Sequence, residues 1–158
     1  MLVTDVLKQD HHTVSELFQQ IEKTTDARRR QELIDTIAEE LEVHAKAEEE
    51  VFYAAVQAVS PMVAHAREEH MKVRKLIGDI EGRDPGSPEF AQKVRALQQA
   101  VTHHVAEEEG QMFAQAQALG ESELARLGQQ MEERKQTLKT SIVQRGIRGL
   151  KLAIQKAA

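Results

Sequence analysis

The feature that most constrains this chain is an internal repeat that carries histidine and carboxylate side chains. Each copy has an acid followed by a histidine and, further along, a histidine with a glutamate four residues later. The copies are Asp10-His11 with His44-x-x-x-Glu48, and Glu69-His70 with His104-x-x-x-Glu108, offset by fifty-nine or sixty positions. Two copies of one unit therefore supply four imidazoles and two carboxylates, a ligand set suited to one or two iron-like ions.

The composition favours an all-helical protein. The chain has 158 residues, which is enough for one domain with a hydrophobic core. Aromatic residues make up only 3% of it, whereas Ala, Gln, Glu and Leu are abundant, as is typical of helices. No segment alternates like a strand. Cysteine is absent, which excludes disulfides, thiolate zinc sites and iron–sulfur clusters.

Charge is unevenly distributed along the chain. All twenty-six acidic residues precede Arg134, whereas six of the twenty-one Lys and Arg residues follow it. An acidic body suits cation binding and argues against binding of nucleic acid. No apolar run approaches the roughly 20 residues of a membrane span, and the first residues lack the layout of a signal peptide. We therefore expect a cytoplasmic protein.

Capping and proline signals divide the chain into five helices. The predicted helices cover about residues 4–24, 26–59, 61–82, 88–119 and 121 onwards, with a loop at 82–86. The expected caps of the first four helices are Thr4, Thr25 or Asp26, Ser60, and Ser87. Pro61 and Pro88 each follow a capping serine, where proline is favoured at the first helical position.

Helical periodicity places the repeated histidines and glutamates on the apolar faces of four helices. Apolar residues recur there at i, i+3, i+4 and i+7, and the polar groups interrupt each stripe. Short loops make neighbouring helices antiparallel, so the polar groups can meet in one layer. A buried ionised carboxylate costs several kcal/mol unless it is compensated. Since no Lys or Arg lies on these stripes near Glu48 or Glu108, a bound cation is the simplest compensation.

The other histidines are expected to lie outside this layer. His12 and His103 each neighbour a stripe histidine and point about 100° away around the helix. His65 also lies off its stripe. Further acids next to the motifs are expected to be solvated or to orient the ligating imidazoles from outside. These acids are Glu49, Glu50, Glu107 and Glu109.

The ligand types narrow the choice of metal. Two histidines and one carboxylate from each copy are similar to the facial set of non-haem iron, used twice. Structural zinc normally takes four ligands in a closed shell, whereas calcium and magnesium prefer oxygen. The Glu-x-x-His pattern of ferritin-like bundles and the His-Glu-x-x-His pattern of zinc proteases are absent. Iron or manganese fits best, with zinc occupancy as an alternative.

Together these motifs resemble the bacterial HHE cation-binding branch of the hemerythrin family. The segments HAKAEEEVFYAAV and HHVAEEEGQMFAQA resemble its second and fourth helix signatures, and the resemblance covers roughly residues 1–118. It implies an up-down-up-down four-helix bundle around an oxo- or hydroxo-bridged di-iron centre that binds dioxygen, nitric oxide or hydrogen peroxide. Carried over position by position, the ligands are His11, His44, Glu48, His70, His104 and Glu108.

One departure from the family pattern bears on function. Oxygen-carrying hemerythrins place a second histidine one turn away on the third helix, where this chain has Ala66 and Arg74. The ligand set is therefore one imidazole short, which leaves a position open to peroxide. We expect catalase-like peroxide breakdown in preference to reversible oxygen or nitric oxide binding, to sensing, or to a purely structural metal.

The end of the chain is expected to extend the bundle. Residues 1–120 are predicted to form the metal-binding domain, and residues 121–158 a C-terminal helical extension. Its tail carries a narrow apolar stripe at Val143, Ile147, Leu150 and Ile154, with basic residues elsewhere around the helix. We expect this basic amphipathic tail to dock on the acidic bundle. Contact with an anionic membrane surface or with a partner protein is the alternative.

Overall fold

The architecture is an antiparallel four-helix bundle with a fifth helix along one side. The computed structural model describes residues 1–157, with side chains described through Gln144, and contains no strand in that range. Helices α1, α3 and α5 span Val3–Lys23, Val63–Ile80 and Glu121–Ala157. Helix α2 consists of Ala27–Ala47, a π-helical segment Glu48–Tyr53 and a last α-helical turn Ala54–Val56. Helix α4 consists of Pro88–Glu107, a π-helical segment Glu108–Met112, Phe113–Ala116 and a 3-10 turn Gln117–Leu119. The predicted all-α bundle fold is confirmed.

Two of the predicted caps are confirmed. Asp26 accepts a hydrogen bond from the Arg29 backbone N–H at 3.2 Å at the start of α2. Ser87 accepts one from the Phe90 N–H at 3.1 Å, with Pro88 as the first residue of α4. These side chains satisfy N–H groups that have no partner within the helix.

Two other cap predictions were wrong. Helix α1 begins at Val3, so Thr4 lies inside the first turn, where its side chain is buried. Ser60 does accept a hydrogen bond, from the Met62 N–H at 3.2 Å, but α3 begins only at Val63. A turn with a side-chain acceptor resembles a helix cap in sequence, because both use serine to bind a backbone N–H two or three residues on.

Two apolar cores flank the polar layer of the bundle. One core lies towards the start of α1 and includes Leu7, Phe52 and Leu127. The other lies towards the end of α1 and includes Phe18 and Ile37. The histidines and glutamates of the repeat fall between them, because they replace apolar residues at the middle of each stripe.

Helix α5 packs against α1 and α2 through its apolar side. Leu124, Leu127 and Met131 are almost fully buried there. At Gly128 the backbone of α5 packs directly against the start of the chain, and a Cβ at this position would collide with the Met1 carbonyl oxygen. The described part of α5 is thus docked, whereas the division into residues 1–120 and 121–158 stays a prediction.

Most of the predicted tail stripe lies outside the described side chains. Val143 is described and is exposed, whereas Ile147, Leu150 and Ile154 fall beyond Gln144. Docking and membrane or partner contact therefore both stay predictions for this tail. Over the described part of the chain, none of the helices is long and apolar enough to cross a membrane.

Candidate metal centre

The structure brings all six predicted ligands together in the polar layer between the two apolar cores. Every helix of the bundle contributes, and the residues are His11 from α1, His44 and Glu48 from α2, His70 from α3, and His104 and Glu108 from α4. All six side chains are buried, and both glutamates are almost completely inaccessible. Their convergence is what the sequence led us to expect, while their role as metal ligands stays a prediction.

The six residues form two overlapping groups that share both glutamates. We call His11 and His44 with the two glutamates the first half-site, and His70 and His104 with the same glutamates the second half-site. In each group, one donor atom per residue lies within 4.8 Å of the donor atoms of the others. Each half-site could hold one metal ion, and both glutamates would be available to either ion.

The distances between donor atoms are those of side chains that surround a common space. In the first half-site, His11 Nε2 lies 3.2 Å from Glu108 Oε1. In the second, His70 Nε2 lies 3.1 Å from Glu48 Oε1, and His104 Nε2 lies 3.1 Å from Glu108 Oε2. The imidazoles thus present their Nε2 atoms to both glutamates.

A second ring of acids holds the other nitrogen of each imidazole. The Nδ1 atoms lie 2.7 Å from Glu109 for His11, 2.8 Å from Asp10 for His44, 2.6 Å from Glu49 for His70 and 2.8 Å from Glu69 for His104. A carboxylate at Nδ1 keeps the proton there and leaves Nε2 free to bind metal. Glu49 and Glu109 therefore orient imidazoles, as expected, and Asp10 and Glu69 share a role that sequence analysis did not give them.

Comparison with known protein families shows to which family the chain is related. The family described as "Hemerythrin HHE cation binding domain" matches residues 2–116. The chain belongs to this family. The match covers both copies of the repeat and every residue of the two half-sites.

One curated relative of this HHE protein is a DNA nickase of Nostoc sp. strain PCC 7120. The two chains are 34% identical over 116 residues, which is 72% of this chain but 33% of the nickase. The HHE chain thus spans about a third of the length of that relative.

A solved structure has the same fold. It is the hemerythrin HHE cation-binding domain-containing protein of Mycobacterium kansasii, which is 23% identical, with a TM-score of 0.83 over 90% of both chains. Since 90% of this chain is more than residues 1–120 contain, the likeness includes part of α5.

Several buried donor atoms of the HHE centre have no hydrogen-bond partner. They are Nε2 of His11 and of His44, both carboxylate oxygens of Glu48, and Oε1 of Glu108. Burying such atoms without a partner is costly, and most of all for a carboxylate. A cation between them would satisfy all of these atoms, so the residues fit the metal that the family name implies.

The protonation equilibria of the centre show the same need for positive charge. Burial alone would lower the pKa of His44, but the charge of Glu48 and the hydrogen bond to Asp10 outweigh it and raise this pKa to about 10. Burial also opposes the shift at His104, yet the nearby carboxylates of Glu108 and Glu48 raise its pKa to about 11. Without metal, protons on the imidazoles supply the charge that a bound cation would replace.

Tyr53 is a member of the centre that sequence analysis missed. Its hydroxyl donates a hydrogen bond to Glu108 Oε2 at 2.6 Å and lies 3.2 Å from Nε2 of both His70 and His104. Burial and the charges of Glu48 and Glu108 raise the pKa of Tyr53, so the hydroxyl stays protonated in the absence of metal. The second half-site therefore contains a phenol oxygen where the sequence led us to expect an open position.

The two half-sites differ because the repeat places Phe113 where the first copy has Tyr53. The Phe113 ring stacks on His11 with ring centroids 6.3 Å apart, and the Tyr53 ring stacks on His70 at 5.2 Å. The two positions are structurally equivalent, but Phe113 has no oxygen to offer. The first half-site consequently has one donor fewer than the second.

Neither position of the missing family histidine provides a substitute ligand. Arg74 turns to Glu49, with its two terminal nitrogens 3.0 and 3.2 Å from the carboxylate oxygens. Ala66 is buried and offers only a methyl group. Arg74 thus neutralises Glu49, the acid that holds His70. The additional polar group in the centre is the Tyr53 hydroxyl on α2, and α3 supplies none in place of the family histidine.

The histidines expected to lie off the stripes do so. The side chains of His12, His65 and His103 are 75%, 57% and 65% exposed. His12 pairs with Glu16 alone, at 3.0 Å. The geometric argument from helix faces therefore separated inward from outward histidines correctly.

An apolar cavity of about 30 Å³ borders the centre on the side away from Tyr53. The four imidazoles contribute to its wall, and the remaining wall is largely aliphatic, including Val14, Leu41, Val73 and Ile77. A volume of this size admits one water-sized or diatomic molecule. The cavity gives a small ligand a place next to both half-sites.

Proposed function

We propose that the chain holds a non-haem di-iron centre and uses it to disproportionate hydrogen peroxide. The observation that carries this proposal is the pair of half-sites that share Glu48 and Glu108, with their donor atoms buried and unpaired. Imidazole and carboxylate donors in these numbers suit iron, with manganese or zinc as alternative occupants. A redox-active metal pair would supply the two-electron exchange by which two molecules of peroxide become one of oxygen and two of water.

The residues of the chain set the conditions for that chemistry. The outer acids hold each imidazole by Nδ1, so that Nε2 faces the centre. Tyr53 and Glu108 form a hydrogen-bonded pair inside the centre that can hold a proton and return it. The small volume and largely aliphatic wall of the cavity suit a small neutral molecule such as peroxide.

The difference between Tyr53 and Phe113 indicates where peroxide would bind. The phenol oxygen fills space in the second half-site, whereas the phenyl ring leaves the first half-site one donor short. The apolar cavity is lined by the imidazoles of both half-sites, so a ligand in it could reach either, and the missing donor favours the first. We therefore assign the open position to the first half-site.

Reversible binding of oxygen or nitric oxide is the second candidate function. It is favoured by the same cavity, because its aliphatic wall and small volume suit a neutral diatomic molecule as well as peroxide. The activity named for the Nostoc relative is not carried over, since two thirds of that protein lie outside the match.

The proposal is tested by substituting a shared glutamate. We expect the iron-loaded protein to release oxygen from hydrogen peroxide, and Glu48→Ala to abolish this release and lower the iron content. His12→Ala is the control, because His12 lies outside the centre, and it should keep both iron and activity. Iron content, the optical spectrum and an oxygen electrode provide the readouts. A stable, reversible oxygen adduct without peroxide turnover would favour the second candidate, and an absence of bound metal would refute both.

A further inference from the structure

A second cluster of histidines and glutamates lies at the surface between α3 and α4. It consists of His65 and Glu69 on α3 and of His103 and Glu107 on α4. Each helix contributes one His-x-x-x-Glu pair, and the two pairs face each other. The cluster thus repeats, outside the bundle, the local motif from which the buried centre is built.

The distances within this cluster match those of ligands around one ion. His65 Nε2 lies 3.2 Å from Glu107 Oε2 and 3.5 Å from Glu69 Oε2. His103 Nε2 lies 2.9 Å from Glu107 Oε1 and 3.6 Å from Glu69 Oε2. Donors placed about 2.1 Å from a tetrahedral zinc ion are roughly 3.4 Å from one another. His65, Glu69 and Glu107 each place one donor atom within 4.8 Å of the others, and a rotation of the exposed His103 side chain would add a fourth donor.

The charges of the cluster are not balanced by basic residues. Over the described residues, neither Glu69 nor Glu107 has a Lys or Arg side chain within 4.0 Å, and their only partners are histidines. Glu107 Oε2 is also buried, and its contact with His65 does not have hydrogen-bond geometry. Two carboxylates, one of them with an unsatisfied oxygen, and two imidazoles form a donor set for a divalent ion.

A third surface pair provides the contrast. His12 and Glu16 on α1 have the same four-residue spacing and lie 3.0 Å apart. No second histidine–glutamate pair of the described chain faces them. A single pair of this kind is an ordinary helix-surface ion pair, whereas two facing pairs can surround a metal.

We propose that His65, Glu69, His103 and Glu107 bind one divalent transition-metal ion of the zinc type, at a site separate from the buried centre. Both imidazoles are more than half exposed, so an ion can enter from solvent. Glu69 connects the two sites, because its Oε1 lies 2.8 Å from His104 Nδ1 while its Oε2 faces the surface cluster.

The experiment compares zinc uptake by the full-length wild-type protein and a His65→Ala/His103→Ala variant. Both proteins are equilibrated with Zn²⁺ and desalted, and zinc and iron are measured in the same samples. We expect the wild type to hold one more equivalent of zinc than the double variant, with equal occupancy of the buried centre. Each single variant, His65→Ala or His103→Ala, should lower the affinity for this zinc ion at least about ten-fold.

His12→Ala is the matched control and should keep the wild-type zinc equivalent. The readout is the difference between variants, so it does not depend on which metal fills the buried centre. Equal zinc in wild type and double variant would overturn the surface site, as would a zinc gain matched by an equal loss of iron. Circular dichroism of both proteins checks that the double variant is folded.

Discussion

The two nitrogens of each imidazole in the candidate centre have separate roles in this protein. Nε2 faces the centre, and Nδ1 is held by an acid from a different helix. Asp10 on α1 holds the histidine of α2, Glu49 on α2 holds that of α3, Glu69 on α3 holds that of α4, and Glu109 on α4 holds that of α1. The orientation of each of these imidazoles therefore depends on a neighbouring helix.

The raised histidine pKa values predict a distinctive pH dependence for the metal-free protein. His44 and His104 have ordinary pKa values of 6.5 that the fold raises to about 10 and about 11, so their contribution to stability is complete below pH 6.5. That contribution is lost as the pH rises towards 10. Glu48, whose pKa is lowered from 4.5 by the same contacts although burial opposes this, contributes above pH 4.5 and loses its contribution as the solution is acidified.

We therefore expect the metal-free protein to be most stable between about pH 4.5 and 6.5 and to melt at a lower temperature at pH 9 than at pH 6. The metal-loaded protein should behave oppositely over this range, because protons compete with metal for the imidazoles. Thermal melting of both forms across this pH range measures the effect. Parallel curves for the two forms would contradict the assignment of the histidines as ligands.

Removal of the Tyr53 hydroxyl tests the asymmetry of the half-sites. Tyr53→Phe removes the 2.6 Å hydrogen bond to Glu108 Oε2 and leaves only His104 beside that oxygen, and we expect a loss of roughly 1–3 kcal/mol in the free energy of unfolding of the metal-free protein. It should also make the second half-site resemble the first, so that a small ligand such as azide shifts the optical spectrum of the iron-loaded protein more strongly. Denaturant unfolding and azide titration are the measurements. Phe113→Tyr is the reciprocal variant and should weaken the azide response.

The secondary structure explains why Tyr53 escaped the sequence analysis. In a regular α-helix, a residue five positions after Glu48 points about 140° away from it. The π-helical segment Glu48–Tyr53 widens the turn to an i, i+5 repeat, which returns Tyr53 to the face of the centre. The 3.6-residue period that located the six predicted ligands therefore fails at this segment.

The pairing of each outer acid with a particular imidazole was unpredictable for another reason. Which helix supplies the acid for each imidazole depends on the lateral packing and vertical register of the bundle, which periodicity within one helix does not specify. Asp10 and Lys135 illustrate this, since they meet although 125 positions separate them in the chain. By contrast, helix number, loops and inward faces follow from local pattern, and the sequence predicted them.

Gly128 gives a prediction for helix α5. Replacing a helical glycine with alanine usually stabilises by about 0.5–1 kcal/mol. A Cβ at Gly128 would instead collide with the Met1 carbonyl oxygen and lie 3.0 Å from the Leu2 carbonyl carbon. We expect Gly128→Ala to destabilise the protein by about 1–3 kcal/mol, measured by denaturant unfolding. Gly78→Ala in α3, where a Cβ meets nothing within 4 Å, is the control and should be neutral or stabilising.

Considered as a whole, the molecule connects its fifth helix to the metal centre. The Lys135 ammonium donates to Asp10, and Asp10 holds His44. Its neighbour Arg134 pairs with Glu50 of α2. The C-terminal helix therefore supplies positive charge to the outer acid Asp10 and to Glu50, as well as apolar side chains to the core.

We expect Lys135→Ala to lower the metal affinity of the centre by about ten-fold, because Asp10 would hold His44 less firmly. Competition with a coloured chelator measures this affinity. Lys139→Ala is the control, since Lys139 lies 3.7 Å from Glu40 and does not contact the outer acids. Deletion of residues 141–158 should leave the affinity unchanged, because no predicted ligand and neither of these α5 cations lies beyond residue 140. If the truncated protein lost as much metal affinity as Lys135→Ala, the tail would be shown to contribute to the centre.

The arrangement of the outer acids has a consequence for how the protein comes apart. Each of the four helices holds the histidine of the next, and α4 holds that of α1, so the contacts form a closed ring. No helix is at the end of this ring, so none can detach without breaking contacts with two neighbours. A metal ion bound by all four helices should therefore suppress partial opening more than it suppresses global unfolding. In native-state hydrogen exchange, the slow amides of α1–α4 should merge into one exchange class when metal is added and separate again when it is removed.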